Sequence, residues 1–194
     1  ESANDARAGW LKAQIDEVDR LARIVDGLTL LAKADAGQVP LERRPVRLDQ
    51  LVRECAEDAL ILAHPHAIEV ALGRCDAAEV TGDRARLRQL LLNLADNAIK
   101  HNRERGKVEI DLRFENGRAT LEIRNTGDPL PPGFERSAFE PFARGENVRA
   151  KGIEGCGLGL AIARWIVGAH GGEIALRDGP PGWITVSARF PARP

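Results

Sequence analysis

The chain is poor in cysteine, and its charges nearly cancel. It has 3 cysteines among 194 residues, Cys55, Cys75 and Cys156, which lie far apart and form no C-x-x-C pair. This usage argues against a disulfide framework and a structural zinc site, and it favours a reducing compartment such as the cytoplasm. Because 28 Lys and Arg residues are balanced by 29 Asp and Glu residues, we expect no general attraction to nucleic acid and no nucleic-acid partner.

Methionine and tyrosine are absent, and no apolar run is long enough to span a bilayer. A membrane-spanning helix needs about 20 mostly apolar residues, and no charged-then-apolar leader opens the chain. We therefore expect this piece not to be embedded in a membrane. Because it starts at Glu1 without an initiator methionine, we expect a fragment of a longer protein. The 43% of apolar and 29% of charged residues are typical of a globular domain with its own core.

Residues 1–37 have the pattern of one long helix. No proline occurs between Asn4 and Ala36, and a mainly apolar stripe follows alternating spacings of four and three, at Leu11, Ile15, Val18, Ala22, Val25, Thr29 and Ala32. So wide an apolar face needs a partner helix, and the spacing favours a helical bundle. Folding back onto the rest of the chain is the alternative. Gly37 and Pro40 end the helix, and residues 38–45 read as a linker.

Residues 46–194 read as one domain in which helices and strands are segregated. The patterns predict helices over Leu48–Ala63, Arg84–His101 and Leu158–Ala169, and strands over Ile68–Leu72, Glu79–Thr81, Lys107–Glu115, Arg118–Asn125, Glu173–Arg177 and Trp183–Phe190. Asn116-Gly117 signals a hairpin. Without a βαβ rhythm, the order predicts an α+β fold, a two-layer sandwich of one mixed sheet covered on one face by helices. Residues 127–156 are predicted to form a functional lid.

One face of the predicted helix Arg84–His101 carries an unusual polar set. Asn93, Asn97 and Lys100, here called the Asn face, fall together opposite the apolar arc. Asparagine is a poor helix former, so two of them one turn apart need a reason. Amide oxygens are neutral ligands for Mg²⁺, and amide and ammonium groups donate to phosphate oxygens. The face therefore resembles one wall of a nucleotide-phosphate site, although polar surface decoration is the simpler alternative.

A glycine cluster, Gly155-Cys156-Gly157-Leu158-Gly159-Leu160, opens the last predicted helix. Glycines let the backbone approach a ligand closely, and a helix start favours an anion such as a diphosphate. A dinucleotide site with Asp178 as its ribose-binding acid is a second interpretation, but no strand pattern precedes the cluster. A third interpretation is that these glycines serve the structure alone and bind no ligand.

The motif Asn125-Thr126-Gly127-Asp128-Pro129 stands where a strand breaks into the lid. A short polar side chain beside a glycine at a strand end can read a base edge, although alone the motif is only a turn.

Four motifs together resemble one family. They are Asn93-Leu94-Ala95-Asp96-Asn97-Ala98-Ile99-Lys100-His101, Asn125-Thr126-Gly127, Phe139-Glu140-Pro141-Phe142-Ala143-Arg144 and Gly155-Cys156-Gly157-Leu158-Gly159-Leu160-Ala161. In order and approximate spacing they are similar to the N, G1, F and G2 boxes of the sensor histidine kinases of two-component systems. The segment from Asp19 to Asp35 also looks like the second helix of that family's dimerisation hairpin.

The resemblance implies the Bergerat-type (GHKL) ATP-binding fold over residues 46–194, with ATP and Mg²⁺ as ligands. Carried over residue by residue, Asn97 is the expected magnesium ligand, and Asn93, Lys100 and His101 surround the phosphates and ribose. Gly127 faces the adenine beside Asn125, and Thr185 helps to fix the base. Gly155, Gly157, Gly159 and Leu160 form the hinge and phosphate end of the lid, where Arg144 reaches the transferring phosphate. For Phe139 and Phe142, packing within the lid without any ligand contact is as good an interpretation as a contact with the ligand. Asn93, Lys100 and Arg144 are the expected catalytic residues.

Two departures from the family pattern concern the base. Asn125 stands where the family usually has an aspartate, and Pro129 replaces a second glycine. An amide both accepts and donates, so selectivity between ATP and GTP is expected to be relaxed, with ATP still preferred.

The resemblance also implies phosphoryl transfer to a histidine on the first dimerisation helix. None of His64, His66, His101 and His170 fits that context, so the acceptor is expected to lie outside this chain. Asn93 replaces the water-activating glutamate of related ATPases, so hydrolysis should be slow. A slow ATPase and a degenerate nucleotide-sensing module are the alternatives. The resemblance implies a cognate response regulator as partner, and a parent that dimerises through its helical hairpin and is anchored in the inner or plasma membrane.

Overall fold

The computed structural model describes residues 2–143 and 155–193. The chain divides into two compact units, Glu1–Val39 and Pro40–Pro194. Among the described helices, none is both long and apolar enough to cross a membrane.

The N-terminal unit is helix α1, Ser2–Asp35, which confirms the long helix predicted from the heptad spacing. Its end is a glycine turn: Gly37 adopts a positive φ of 65°, and the N–H of Gln38 donates to the carbonyl of Lys33 at 2.8 Å. The apolar residues Leu11, Ile15 and Val18 are exposed. A helix with this much exposed apolar surface is of the kind that pairs with another helix.

The C-terminal unit contains the remaining elements. Within the described residues, its helices are α2 (Leu48–Ala63), α3 (Arg84–Lys100), α4 (Phe134–Ser137) and α5 (Gly159–Ala169), with a 3₁₀ turn at His64–His66. Its strands are β1 (Arg44–Arg47), β2 (Glu69–Cys75), β3 (Glu79–Gly82), β4 (Lys107–Glu115), β5 (Arg118–Thr126), β6 (Glu173–Asp178) and β7 (Trp183–Pro191). The predicted helices and strands are thus confirmed to within a few residues at each end.

Within the described residues, five strands form one mixed sheet in the order β2-β4-β5-β7-β6. Strand β2 pairs with β4 in parallel, and the other neighbours are antiparallel. The β4–β5 hairpin turns at Asn116 and Gly117, which both have positive φ, as the Asn-Gly signal predicts. The predicted α+β sandwich with a mixed sheet is confirmed.

Strands β1 and β3 form a separate antiparallel pair that was not predicted as such. Strand β1 begins at Arg44, inside the segment 38–45 that reads as a linker in the sequence. Its four residues include Pro45 and bury only Val46, so no alternating pattern marks them as a strand. Pairing with β3, more than 30 residues away in sequence, fixes this segment instead.

The core lies between one face of the sheet and the helices. Leu87, Leu91 and Leu94 of α3 are fully buried, as are Ile110 and Ile123 of the central strands. The opposite face is polar and carries ion pairs, such as Arg124–Glu109 between the neighbouring strands β5 and β4 and Arg177–Glu122, which reaches from β6 across β7 to β5. Successive residues of a strand point to opposite faces, so the register of each strand decides which side chains reach the helical layer.

Candidate functional site

Helix α3 begins at a strong cap. The carboxylate of Asp83 accepts hydrogen bonds from the backbone N–H groups of Ala85 and Arg86 at 2.9 and 3.1 Å. Burial alone would raise the pKa of Asp83, but hydrogen bonds from the N–H groups of Arg86, Glu42 and Ala85 outweigh it and lower the pKa. The cap therefore stays ionised at neutral pH and holds the first turn of the helix.

The Asn face lies half-buried on α3, as the helical spacing predicts. The side chain of Asn97 makes no hydrogen bond to any residue that the structure describes. The Nζ atom of Lys100 is 2.7 Å from the Asp96 carboxylate one turn earlier. Among the described residues the amide of Asn97 thus has no partner, while the cation of Lys100 is paired with Asp96 on the same helix.

Asn93 joins α3 to the start of α5. Its Nδ2 atom donates to the backbone carbonyl of Gly159 at 3.4 Å, a long hydrogen bond across 66 positions of sequence. The N-box and G2-box motifs, separate in the sequence, therefore meet in the fold. Leu160, in the first turn of α5, is half-buried beside this contact.

A second meeting point lies at the C-terminal end of α3, where His101 follows the helix. The Nδ2 atom of Asn125 donates to the carbonyls of His101 at 3.4 Å and of Thr126 at 3.1 Å. Asn125 is buried, and its amide nitrogen is directed at these two acceptors, so its oxygen is the atom left for other partners.

Gly127 fits into the same corner because it lacks a side chain. A Cβ atom there would lie 2.9 Å from the carbonyl oxygen of His101 and 3.4 Å from Cδ1 of Ile184. The N-box end, the G1 motif and the start of β7 therefore form one niche.

The structure does not bring Thr185 into this niche. In the β5–β7 register, Thr185 is opposite Arg124, and Ile184 is opposite Asn125. Thr185 is therefore on the polar face of the sheet, and Ile184 is the residue beside Asn125. The alternation of β7 carries this signal, because Ile184, Val186 and Ala188 are apolar at every second position.

The F-box and G2-box segments touch through their backbones. The N–H of Phe142 donates to the carbonyl of Gly157 at 2.9 Å. Gly157 has a φ of +69°, and a Cβ atom on it would lie 2.9 Å from the backbone of Phe142. Phe139 is buried and packs within the fold, whereas Phe142 is 50% exposed and has a positive φ.

The glycines on either side of Gly157 are less crowded than Gly157 itself. Gly155 is exposed, and a Cβ atom on Gly155 or Gly159 would meet nothing within 4 Å. Arg144 lies outside the described residues.

The donor set fits a magnesium ion that is shared with phosphate oxygens. No cluster of three or more His, Cys, Asp and Glu side chains occurs in residues 2–143 and 155–193. A half-buried amide such as that of Asn97 supplies one neutral oxygen ligand, and Mg²⁺ commonly takes one or two protein ligands and completes its shell with phosphates and water. The chemistry of the face thus suits a metal that arrives with a nucleotide.

Residues 82–194 match the family described as histidine kinase-, DNA gyrase B- and HSP90-like ATPases. The chain belongs to this ATPase family. Within it, the sequence is 37% identical over 175 residues to the sensor protein CutS of Streptomyces coelicolor. The aligned region covers 89% of the chain and 41% of CutS. It is also 34% identical over 187 residues to the probable sensor histidine kinase TcrY of Mycobacterium tuberculosis. That aligned region covers 96% of the chain and 39% of TcrY.

Among solved structures, this ATPase domain is similar to full-length ShkA in complex with AMPPNP. The TM-score is 0.78 at 27% identity, over 95% of the chain and 38% of ShkA. These similarities identify the chain as a histidine-kinase catalytic domain with its preceding helix. The chain spans about two fifths of the length of CutS and TcrY.

Proposed function

We propose that this chain binds Mg-ATP at the Asn face and transfers the γ-phosphoryl group to a histidine on a dimerisation domain, in two-component signal transduction. The observation that supports this most is the meeting of three motifs. Asn93 donates to the carbonyl of Gly159, Asn125 donates to the carbonyl of His101, and at Gly127 a Cβ atom would come within 2.9 Å of that same carbonyl oxygen. One helix thus carries contacts to the lid hinge near its middle and to the G1 motif at its end. ShkA, a structural relative, was solved with an ATP analogue.

The residues of α3 act at the phosphate end. Asn97 would hold the magnesium ion through its amide oxygen. When bound, Mg²⁺ neutralises charge on the phosphate oxygens. Asn93 donates from its amide, and Lys100 supplies a cation once its side chain rotates away from Asp96, with which it forms a partly exposed ion pair. Exposed ion pairs contribute only about 0–1 kcal/mol, so this turn costs little.

The side chain at position 93 favours transfer over hydrolysis. An amide has no basic lone pair at neutral pH, so Asn93 cannot take a proton from a water molecule. Catalysis then depends on positioning and on charge neutralisation, which serve a supplied acceptor as well as water. We therefore infer slow ATP hydrolysis and faster transfer to histidine.

The base is read by Asn125 and by the niche of Gly127 and Ile184. With Nδ2 donating to two backbone carbonyls, Oδ1 is an acceptor suited to the exocyclic amino group of adenine. Guanine presents a carbonyl oxygen at that position of its ring, so we expect ATP to bind more tightly than GTP. Titration calorimetry with both nucleotides measures this preference, and equal or tighter GTP binding would contradict it.

The whole signalling protein needs parts beyond this domain. We propose that α1, with Leu11, Ile15 and Val18 exposed, is the second helix of a dimerisation hairpin in a homodimeric parent. A response regulator is the proposed partner in the cytoplasm, and the parent is proposed to be anchored in a membrane.

A transfer assay tests the proposed function. The chain is mixed with Mg-ATP and a separately purified dimerisation hairpin that contains a phosphoacceptor histidine, and labelled phosphate on each protein is measured. We expect label on the hairpin only, with loss of at least tenfold in rate for Asn97→Ala. Gln89→Ala, which removes an amide two turns earlier on α3, is the matched control and should retain the rate.

Other outcomes of the assay favour the alternatives. Release of inorganic phosphate without labelled hairpin would indicate a slow ATPase. Nucleotide binding without either product would indicate a sensing module, and label on the chain itself would contradict the absence of an acceptor histidine.

A further inference from the structure

Helices α3 and α5 run antiparallel and are connected at three levels. The contacts are in the pairs Asp83–His170, Arg86–Trp165 and Asn93–Gly159. The start of α3 therefore meets the end of α5, and the middle of α3 meets the start of α5. The two outer contacts are separated by about 15 Å along α3, at 1.5 Å per residue. One outer contact is at the proposed nucleotide site, and the other is remote from it.

The remote contact is a buried histidine that is held from both sides. The Nε2 atom of His170 accepts from the backbone N–H of Asp83 at 3.0 Å, so its Nδ1 carries the proton and donates to the carbonyl of Ile166 at 2.7 Å. Its ring packs on Gly82, where a Cβ atom would overlap Cδ2 of the imidazole. His170 is 6% exposed. The ring thus fixes the end of α5 against the start of α3.

The segment Pro40–Arg43, which follows the N-terminal unit in the chain, binds to the same junction. The N–H of Glu42 donates to Oδ2 of Asp83 at 3.2 Å. The guanidinium of Arg43 donates to the carbonyl of Ala169 at 2.7 Å. One contact is to the cap of α3 and the other to the last residue of α5, so this segment connects both helices at their remote ends.

We propose that His170 is a positioning residue that fixes the register of α5 on α3. Through this register, the Pro40–Arg43 segment sets the distance between the Asn face and the glycine cluster that opens α5. Helices are stiff along their axes, so a shift of α5 at His170 moves Gly159 relative to Asn93. The effect on nucleotide binding rests on the proposed function. The effect on the α3–α5 register does not.

Two substitutions separate the two hydrogen bonds of the imidazole. In His170→Asn, the amide nitrogen takes the place of Nδ1 and no atom reaches Asp83. In His170→Gln, the longer side chain places an amide oxygen near the position of Nε2 and keeps an acceptor for Asp83. If His170 acts through Asp83, the His170→Gln variant keeps the register of α5 on α3 and the His170→Asn variant loses it. A role in packing alone affects both variants, because both lose the aromatic ring.

The first measurement needs no ligand. Hydrogen exchange of peptides covering residues 158–166 is compared in the full chain and its variants at pH 7.5. We expect faster exchange in His170→Asn and exchange like that of the original chain in His170→Gln. Unchanged exchange in His170→Asn, or equal acceleration in both variants, would overturn the proposal.

Calorimetry with Mg-ATP is the second measurement. We expect His170→Asn to weaken binding about threefold to tenfold, the scale at which residues away from a ligand modulate its affinity, and His170→Gln to restore it. Unchanged affinity in His170→Asn would overturn the link to the cleft. If the original chain binds no Mg-ATP, the proposed function fails, and the exchange data still decide the role of His170.

Arg43→Ala covers the case in which His170→Asn does not fold. Arg43 is exposed, so its loss leaves the core intact. We expect faster exchange in residues 158–166 of Arg43→Ala than in the original chain. No change in exchange would overturn the role of the Pro40–Arg43 segment.

Discussion

At the scale of single residues, the site depends on amides whose two ends have different partners. In Asn125 the nitrogen faces the carbonyls of His101 and Thr126, which leaves the oxygen as an acceptor. In Asn97 both ends are without partners among the described residues. Asn93 donates to the backbone of Gly159. In the proposed function the same residue type would serve the base, the metal and the glycine cluster, because an amide donates and accepts without a charge.

Asn125→Asp is expected to destabilise the fold although it restores the residue usual in the family. A carboxylate would place a second oxygen toward two carbonyl oxygens, and a buried unpaired acceptor costs about 1–3 kcal/mol. Urea unfolding measures the free-energy difference. A stability equal to that of the original chain would contradict the assigned direction of the amide.

The lowered pKa of the buried His170 predicts that the folded state loses stability in mild acid. Burial lowers the pKa of His170, as does the charge of Arg43, while the Ile166 carbonyl and Asp83 oppose the shift. In the unfolded chain the imidazole titrates near about 6.5. Between the two pKa values the unfolded state binds more protons, so stability is full above about 6.5 and falls as the pH drops toward the folded pKa.

Thermal unfolding of the original chain and His170→Gln at pH 7.5 and pH 5.5 tests this titration. The original chain should lose more stability between the two values, because its three other histidines are common to both proteins. Equal losses would contradict a neutral buried His170.

At the scale of elements, the glycine cluster that opens α5 combines one constrained glycine with one open glycine. Gly157 has a positive φ and no room for a Cβ atom against Phe142, whereas Gly159 begins α5 with no atom within 4 Å of the Cβ position. Only the first of these glycines is required by the fold itself.

Gly157→Ala is therefore expected to lower stability, by about 1–2 kcal/mol for the left-handed conformation alone. Gly159→Ala is the matched control and should leave stability unchanged or slightly higher, since alanine is a better helix former. Calorimetric unfolding without nucleotide compares the two. Equal destabilisation would show that the Phe142–Gly157 contact does not constrain the hinge.

Local patterns predicted most elements of the fold. The apolar arc of α3 and the Asn116-Gly117 turn follow from periods and dihedral preferences that act within a few residues. Two features needed contacts that are distant in sequence. Strand β1 exists because β3 pairs with it, and Ile184 reaches Asn125 only through the β5–β7 register. Their residues carry little local signal of the partner, and only the family resemblance points to Thr185 at the base site.

At the scale of the whole molecule, the structure is two units of different character. The helical unit exposes several large apolar residues, whereas the α+β unit has its own core and the proposed nucleotide site. A ligand that binds only the folded state stabilises it by RT ln(1 + [L]/Kd). Mg-ATP should therefore stabilise the α+β unit.

Titration calorimetry of the full chain with ATP in the presence of Mg²⁺ tests the central claim most directly. The account predicts saturable binding at one site, loss of at least tenfold in affinity for Asn97→Ala, and unchanged affinity for Gln89→Ala. Absence of heat with millimolar ATP, or equal affinities for Asn97→Ala and the original chain, would contradict a nucleotide site at the Asn face.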